Sequence, residues 1–102
     1  MRYKPYCGIY LILNHKTLQA YVGQSVDCRR RINEHYSRNN SEIDKALSED
    51  PNSFYVYYLK RCKAERLGFW EDYYIAKYNA YENGYNQKFG KYYLHFRERF
   101  KA

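Results

Sequence analysis

Glu71 stands where a solvated charge is not expected. On a helical projection of about 100° per residue with Leu67 at zero, Tyr78 falls at about 20°, Glu71 at about 40° and Ile75 at about 80°, so the carboxylate lies inside the apolar stripe of its helix. An unpaired buried charge is strongly unfavourable, and Glu71 must therefore meet a cation, a metal ion or a strong hydrogen-bond donor. A salt bridge to an arginine satisfies that demand, and so does a metal-binding or catalytic role. Asp72, the next residue, projects away from the stripe and is expected to be a solvated charge.

A second helix, expected over residues 27–37, brings Arg31 and His35 onto one edge at i, i+4, with Cys28 close by and Ile32 and Tyr36 beside them. Arg30 and Glu34 fall on the opposite side. An arginine fork matches two phosphate oxygens, and a histidine one turn further on can exchange protons near neutral pH. Taken singly, each has a plainer reading: Arg31 as the ion-pair partner of Glu71, and His35 as a satisfied, semi-buried imidazole. Arg29, Arg30 and Arg38 read as a solvated face or as nonspecific phosphate-binding cations.

These residues need elements to position them. Residues 7–13 read as a strand, and after the turn-like Asn14-His15-Lys16-Thr17 a second strand over 18–22 ends at Gly23, giving an antiparallel hairpin. Ser25 or Asp27 caps the helix that carries Arg31, and Asn39-Asn40 breaks it. Ser41 followed by Asp44 has capping-box spacing and predicts a short helix over 42–49, stopped by Asp50-Pro51-Asn52. Residues 54–60 predict a strand apolar on both faces, and hence central in its sheet. Leu67, Trp70, Tyr74, Ile75 and Tyr78 give the longest helix, 63–78, after which Asn83-Gly84 ends the segment. Tyr92 or Tyr93, Phe96 and Phe100 then recur at helical spacing among cations, as a terminal helix packed on the domain or as the start of a linker.

The composition sets limits on what these elements can do. In 102 residues there is room for one domain with one core, and a two-domain enzyme is excluded. Tyrosine accounts for 15 residues, as many as Ile, Leu and Val together. The longest uncharged apolar run, residues 7–13, falls far short of the ~20 residues of a membrane span, and no apolar signal region opens the chain. A soluble, cytoplasmic protein with no membrane partner is expected. The net charge of +7, concentrated around Arg29, Arg30, Arg31 and Arg38 and in residues 88–102, points to a polyanion such as nucleic acid, although positive charge is also a common means of staying soluble. Cys7, Cys28 and Cys62 are odd in number and widely spaced, as expected of reduced, buried thiols rather than zinc ligands.

Gly8-Ile9-Tyr10 followed by Tyr21-Val22-Gly23, with the tyrosines eleven residues apart, resembles the two half-motifs that name the GIY-YIG nuclease family. Further markers stand in register: Gln24-Ser25 and Asp27, Arg31 ten residues beyond Tyr21, His35, Glu71, and Gly84-Tyr85-Asn86 at the fifteenth residue after the glutamate. The resemblance implies an α+β fold, a small three-stranded antiparallel sheet flanked by helices, with a nuclease domain over 1–87 and a basic aromatic tail or helix over 88–102. It also implies a metal-dependent DNA endonuclease of homing, mobile-element or phage type.

In that reading Glu71 is the sole carboxylate ligand of one divalent metal ion, Mg2+ with Mn2+ as a substitute. Tyr10 is the general base or orients the attacking water through a phenol of depressed pKa, Tyr21 bonds the phosphate or the water, and Arg31 holds nonbridging oxygens. His35 relays the proton and Asn86 braces the site. The roles of the two tyrosines vary within the family. Gly8 and Gly23 are structural. Val22 replaces the isoleucine of the second half-motif, and Gln24 stands where some relatives carry a lysine, so a cation near the leaving group is missing or comes from another residue. Affinity and sequence choice would come from a homodimer or a separate DNA-binding region. A noncatalytic nucleic-acid-binding module keeping the same fold is the alternative.

Overall fold

The computed structural model describes residues 3–101; Met1, Arg2 and Ala102, at the ends of the two expected segments, lie outside them. Strands β1 (Gly8–Asn14) and β2 (Ala20–Ser25) form the expected hairpin, helices α1 (Cys28–Ser37) and α2 (Glu42–Glu49) follow, and β3 (Phe54–Arg61) completes an antiparallel sheet of order β2-β1-β3. Helix α3 (Leu67–Lys77) is entered through a 3-10 turn over Ala64–Arg66, and α4 (Tyr93–Phe100) ends the chain.

The hairpin turn is fixed by its first residue. Asn14 Oδ1 accepts from the backbone N–H groups of Lys16 and Thr17 at 2.9 and 3.2 Å, an Asx turn. Leu18 has φ 65° and lies in this turn, exposed, so β2 begins two residues later than the apolar run predicts and extends past Gly23 to Ser25. Helix α1 is capped by Asp27, whose side chain accepts from Arg30 N–H, and α2 by Ser41, whose hydroxyl accepts from Asp44 N–H.

Alternation along β1 sorts the core into two layers. Ile9 and Leu11 point to one face, where Val22, Leu67, Ile75, Ala80 and Tyr93 join them; Tyr10 and Ile12 point to the other, with Cys28, Ile32, Ile43 and Leu47 of the first two helices. β1 is thus the central strand, and β3, expected there, is an edge. Its phenols account for the error. Tyr55 and Tyr58 are about half exposed (55% and 51%), because tyrosine covers apolar surface with its ring while its hydroxyl stays in water. A bulge beside Ile9 and Tyr10 also interrupts the β1–β3 register.

Helix α4 folds back on α3. Phe96 meets the rings of Phe69 and Tyr73 at 5.2 and 5.3 Å, and Phe100 meets Tyr73 at 5.2 Å. Tyr93 is buried in the main core, and its hydroxyl donates to Glu82, which also pairs with Arg97. The three cysteines are free thiols; Cys28 is fully buried, while Cys7 and Cys62 are only partly covered. Among the described residues no helix is long and apolar enough to cross a membrane.

Candidate active site

The residues singled out in the sequence converge at the free edge of β2. A cleft of about 420 Å³ there is lined by Tyr21, Arg31, Glu71, Tyr85, Asn86 and Lys88, among others. Tyr21 reaches it from β2, Arg31 from α1 and Glu71 from α3, so three elements on two sides of the sheet meet at one edge.

Tyr10 is not part of the wall. It pairs with Gly23 across the hairpin while Tyr21 pairs with Ile12, which sets the two phenols diagonally on one face with ring centroids 6.3 Å apart. Tyr10 is 0% exposed, and a Cβ on Gly23 would overlap its ring, which is why that position is glycine. Its hydroxyl lies 2.8 Å from His35 Nε2, and His35 Nδ1 lies 2.8 Å from Asp44 Oδ1. His35 and Asp44 are both buried. A line of polar groups, Asp44, His35, Tyr10, Tyr21, thus runs from the interior to the cleft.

The protonation of this line follows from its surroundings. Burial lowers the pKa of His35 below its usual value, Arg31 adds to that, and Asp44 opposes without prevailing. Burial would raise the carboxyl of Asp44, but bonds from His35, from the N–H of Asn40 and from the Ser41 hydroxyl outweigh it and hold the pKa low. At rest the pair is a carboxylate and a neutral imidazole. The Asp44 carboxylate accepts a hydrogen bond from His35 Nδ1–H, which leaves Nε2 to accept from Tyr10. The depressed phenol pKa expected from nearby cations is not found. Burial pushes both tyrosines up, and Arg31, the cation that lowers them, does not compensate.

Glu71 is partly buried but has no ion pair among the described residues; Gln24 Nε2 donates to its Oε1 at 3.1 Å. Burial raises its pKa, Gln24 pulls it back, the charge of Asp72 raises it and Lys88 lowers it. The arginine partner allowed for Glu71 is absent, because Arg31 turns to Glu34 at 3.4 Å. Glu34 also holds Arg30 at 2.7 Å and Arg38 at 3.6 Å, so it gathers charges from what the projection took as opposite sides of α1. Arg29 and Arg30 line a separate hollow on the outer face of α1, and Arg29 lies over the ring of Tyr3. Arg29, Arg30 and Arg38 are not among the residues lining the cleft.

Asn86 closes the open edge of β2. Its Oδ1 accepts from Val22 N–H at 2.8 Å and its Nδ2 donates to Val22 C=O at 2.9 Å, so one carboxamide replaces the missing neighbour strand at that residue. Asp72 contradicts its reading as a solvated charge. It is 1% exposed, and its oxygens accept from the N–H groups of Gly90 and Tyr92 at 2.8 and 2.9 Å. The projection considered one covered face of α3, but the chain after Asn86 covers a second. Sequence reasoning also missed Asp44, although the capping-box spacing had marked its position.

Among the described residues no group of three or more His, Cys, Asp and Glu side chains assembles a metal site. Glu71 is the carboxylate that lines the cleft, half-buried and without an ion pair among the described residues, which suits a hard cation that keeps water and a phosphate oxygen as its other ligands.

Residues 6–86 of this fold match the GIY-YIG catalytic domain, the family to which the chain belongs, and that makes it a nuclease-type domain. Two solved structures are similar to it. One is a mutant of the catalytic domain of intron endonuclease I-TevI, 22% identical with TM-score 0.73, covering 83% of this chain and 96% of that one. The other is the catalytic domain of homing endonuclease I-TevI, 23% identical with TM-score 0.71, covering 80% of this chain and 98% of that one. At these identities the likeness is one of fold. No curated protein matches the chain.

Proposed function

We propose that the domain is a DNA endonuclease of homing or mobile-element type that hydrolyses phosphodiesters with one divalent ion, Mg2+ or Mn2+, held by Glu71. The observation that carries this reading is the meeting of Tyr21, Arg31 and Glu71 in one cleft, backed by the buried Asp44–His35–Tyr10 line. When bound, the ion would acidify a coordinated water and offset charge on a phosphate oxygen.

The side chains would do the rest. Tyr21 takes a proton from the attacking water as its own moves to Tyr10, and the Tyr10 proton moves to His35 Nε2. The net transfer is one proton from water to imidazole, beside a carboxylate that stabilises the imidazolium. Neither phenol has to rest as a phenolate, which suits their raised pKa values. Arg31 keeps N–H groups free of Glu34 with which to hold nonbridging oxygens as charge develops. One cleft cuts one strand, so a double-strand break takes a second copy or a second encounter.

Plasmid nicking with Mg2+ or Mn2+, with and without a chelator, tests this reading against Glu71→Gln. Native protein is expected to nick only with free metal, and the variant not at all; equal nicking by both, or none by either, sinks it and favours a noncatalytic binding module. The same variant is expected to be more stable than native protein in chelator at pH 7. The folded pKa of Glu71 lies above its unfolded value of 4.5, so the penalty for burying the ionised form is present at neutral pH and vanishes below about 4.5. Melting temperatures at pH 7 and pH 4 measure it.

Phosphate contacts from α1 and the tail would make binding strongly salt-dependent, with log K falling by about 0.9 per phosphate neutralised for each unit of log salt. Titrations of a short duplex between about 50 and 200 mM salt measure that slope, and a flat response contradicts phosphate-dominated binding.

A further inference from the structure

We propose that Lys88 binds a phosphate oxygen of the DNA strand in the Glu71 cleft, presented by a strap, residues 86–90, that is pinned on both sides of it; the proposal rests on the nuclease reading above. Two cations line the cleft, Arg31 and Lys88. Arg31 is already shared with Glu34. Lys88 is exposed and has no ion pair among the described residues, and its charge favours the ionised form of Glu71.

The strap has no regular secondary structure, yet its backbone is fixed. Upstream of Lys88, Asn86 bonds both polar groups of Val22 and donates its own N–H to Ala80 C=O at 2.9 Å. Gln87 Oε1 accepts from Glu42 N–H at the start of α2, at 3.3 Å. Downstream, Gly90 N–H and Tyr92 N–H both donate to buried Asp72. A Cβ at position 90 would come within 2.7 Å of Asp72 Oδ2 and displace that carboxylate, so the close approach favours glycine. A lysine between two such anchors has a placed backbone and a free ammonium, an arrangement that suits a point charge meeting a phosphate.

The test compares the full chain with Lys88→Ala, Lys88→Arg and Lys63→Ala, an exposed lysine ahead of α3 and away from the cleft. Supercoiled plasmid with Mg2+ gives single-turnover nicking rates; a short duplex gives binding by each variant in the Glu71→Gln background. Lys88→Ala is expected to nick about 10- to 100-fold more slowly, with unchanged thermal unfolding and a salt slope reduced by about one. Lys88→Arg should recover most of the rate, since it keeps the charge, and Lys63→Ala should match native protein. If native protein nicks and Lys88→Ala nicks equally well, or Lys63→Ala is slowed as much, the Lys88 assignment is wrong while the nuclease reading stands. If native protein does not nick at all, both fall.

Discussion

Asp44→Asn should cut nicking by about 10²- to 10⁴-fold while leaving the fold intact. Asp44 has two tasks: Oδ1 receives His35 Nδ1–H at 2.8 Å and Oδ2 receives Asn40 N–H at 3.2 Å. An asparagine has one acceptor oxygen and one NH2 group. With its oxygen kept on the Asn40 N–H, the NH2 faces His35 Nδ1, which must then accept. The ring proton moves to Nε2 and faces Tyr10, so the bond between His35 and Tyr10 reverses and Tyr10 loses the group that takes its proton. Shape and burial hardly change, so thermal unfolding should shift little. Imidazole 15N shifts of His35 read the tautomer directly, Nδ1–H in the native chain and Nε2–H in the variant. Nicking within a few-fold of native, with the tautomer reversed, would show that the line through Tyr10 carries no proton.

Asp44 also illustrates what a sequence can and cannot give. Its spacing from Ser41 identified the start of α2 correctly, because capping is a local matter of one turn. Where its carboxylate goes is only half local: Oδ2 stays beside its own cap on Asn40 N–H, while Oδ1 crosses to His35 on the preceding helix. The same division holds elsewhere. The bounds of α1 and α2 and the β1–β2 hairpin were legible from caps, breakers and periodicity, and Arg31, His35 and Glu71 stood out by projection before any family was considered. The order of the strands was not legible, since the ring of a tyrosine reads as apolar while its hydroxyl tolerates an edge, as Tyr55 and Tyr58 do. Nor was the environment of the phenols. The resemblance implied a depressed phenol pKa at Tyr10, but burial, which depends on the whole fold, raises it and that of Tyr21 as well.

Asp72→Ala should have the largest effect on stability, a loss of roughly 2–5 kcal/mol, because it removes the buried carboxylate that accepts from the N–H groups of Gly90 and Tyr92, each such bond to a charged acceptor contributing about 1.5–3 kcal/mol and less where water reaches the donor. Against a total of about 5–15 kcal/mol for a domain, that is a large share. Asp72→Asn should fall between the two, since it offers one oxygen to two donors and turns an NH2 toward the other. The damage should be local first. Tyr93 and Arg97 keep their bonds to Glu82, so α4 retains its far anchor while the strap loses its own. Amide exchange is therefore expected to rise at Gly90 and Tyr92 before it rises in β1, and urea midpoints of the three proteins should fall in the order native, Asn, Ala. A midpoint for Asp72→Ala equal to native would mean that water already serves those donors. In Asp72→Asn, which keeps enough stability to be assayed, nicking should fall further than the loss of folded protein explains, because Asp72 positions the strap that ends at Gly90.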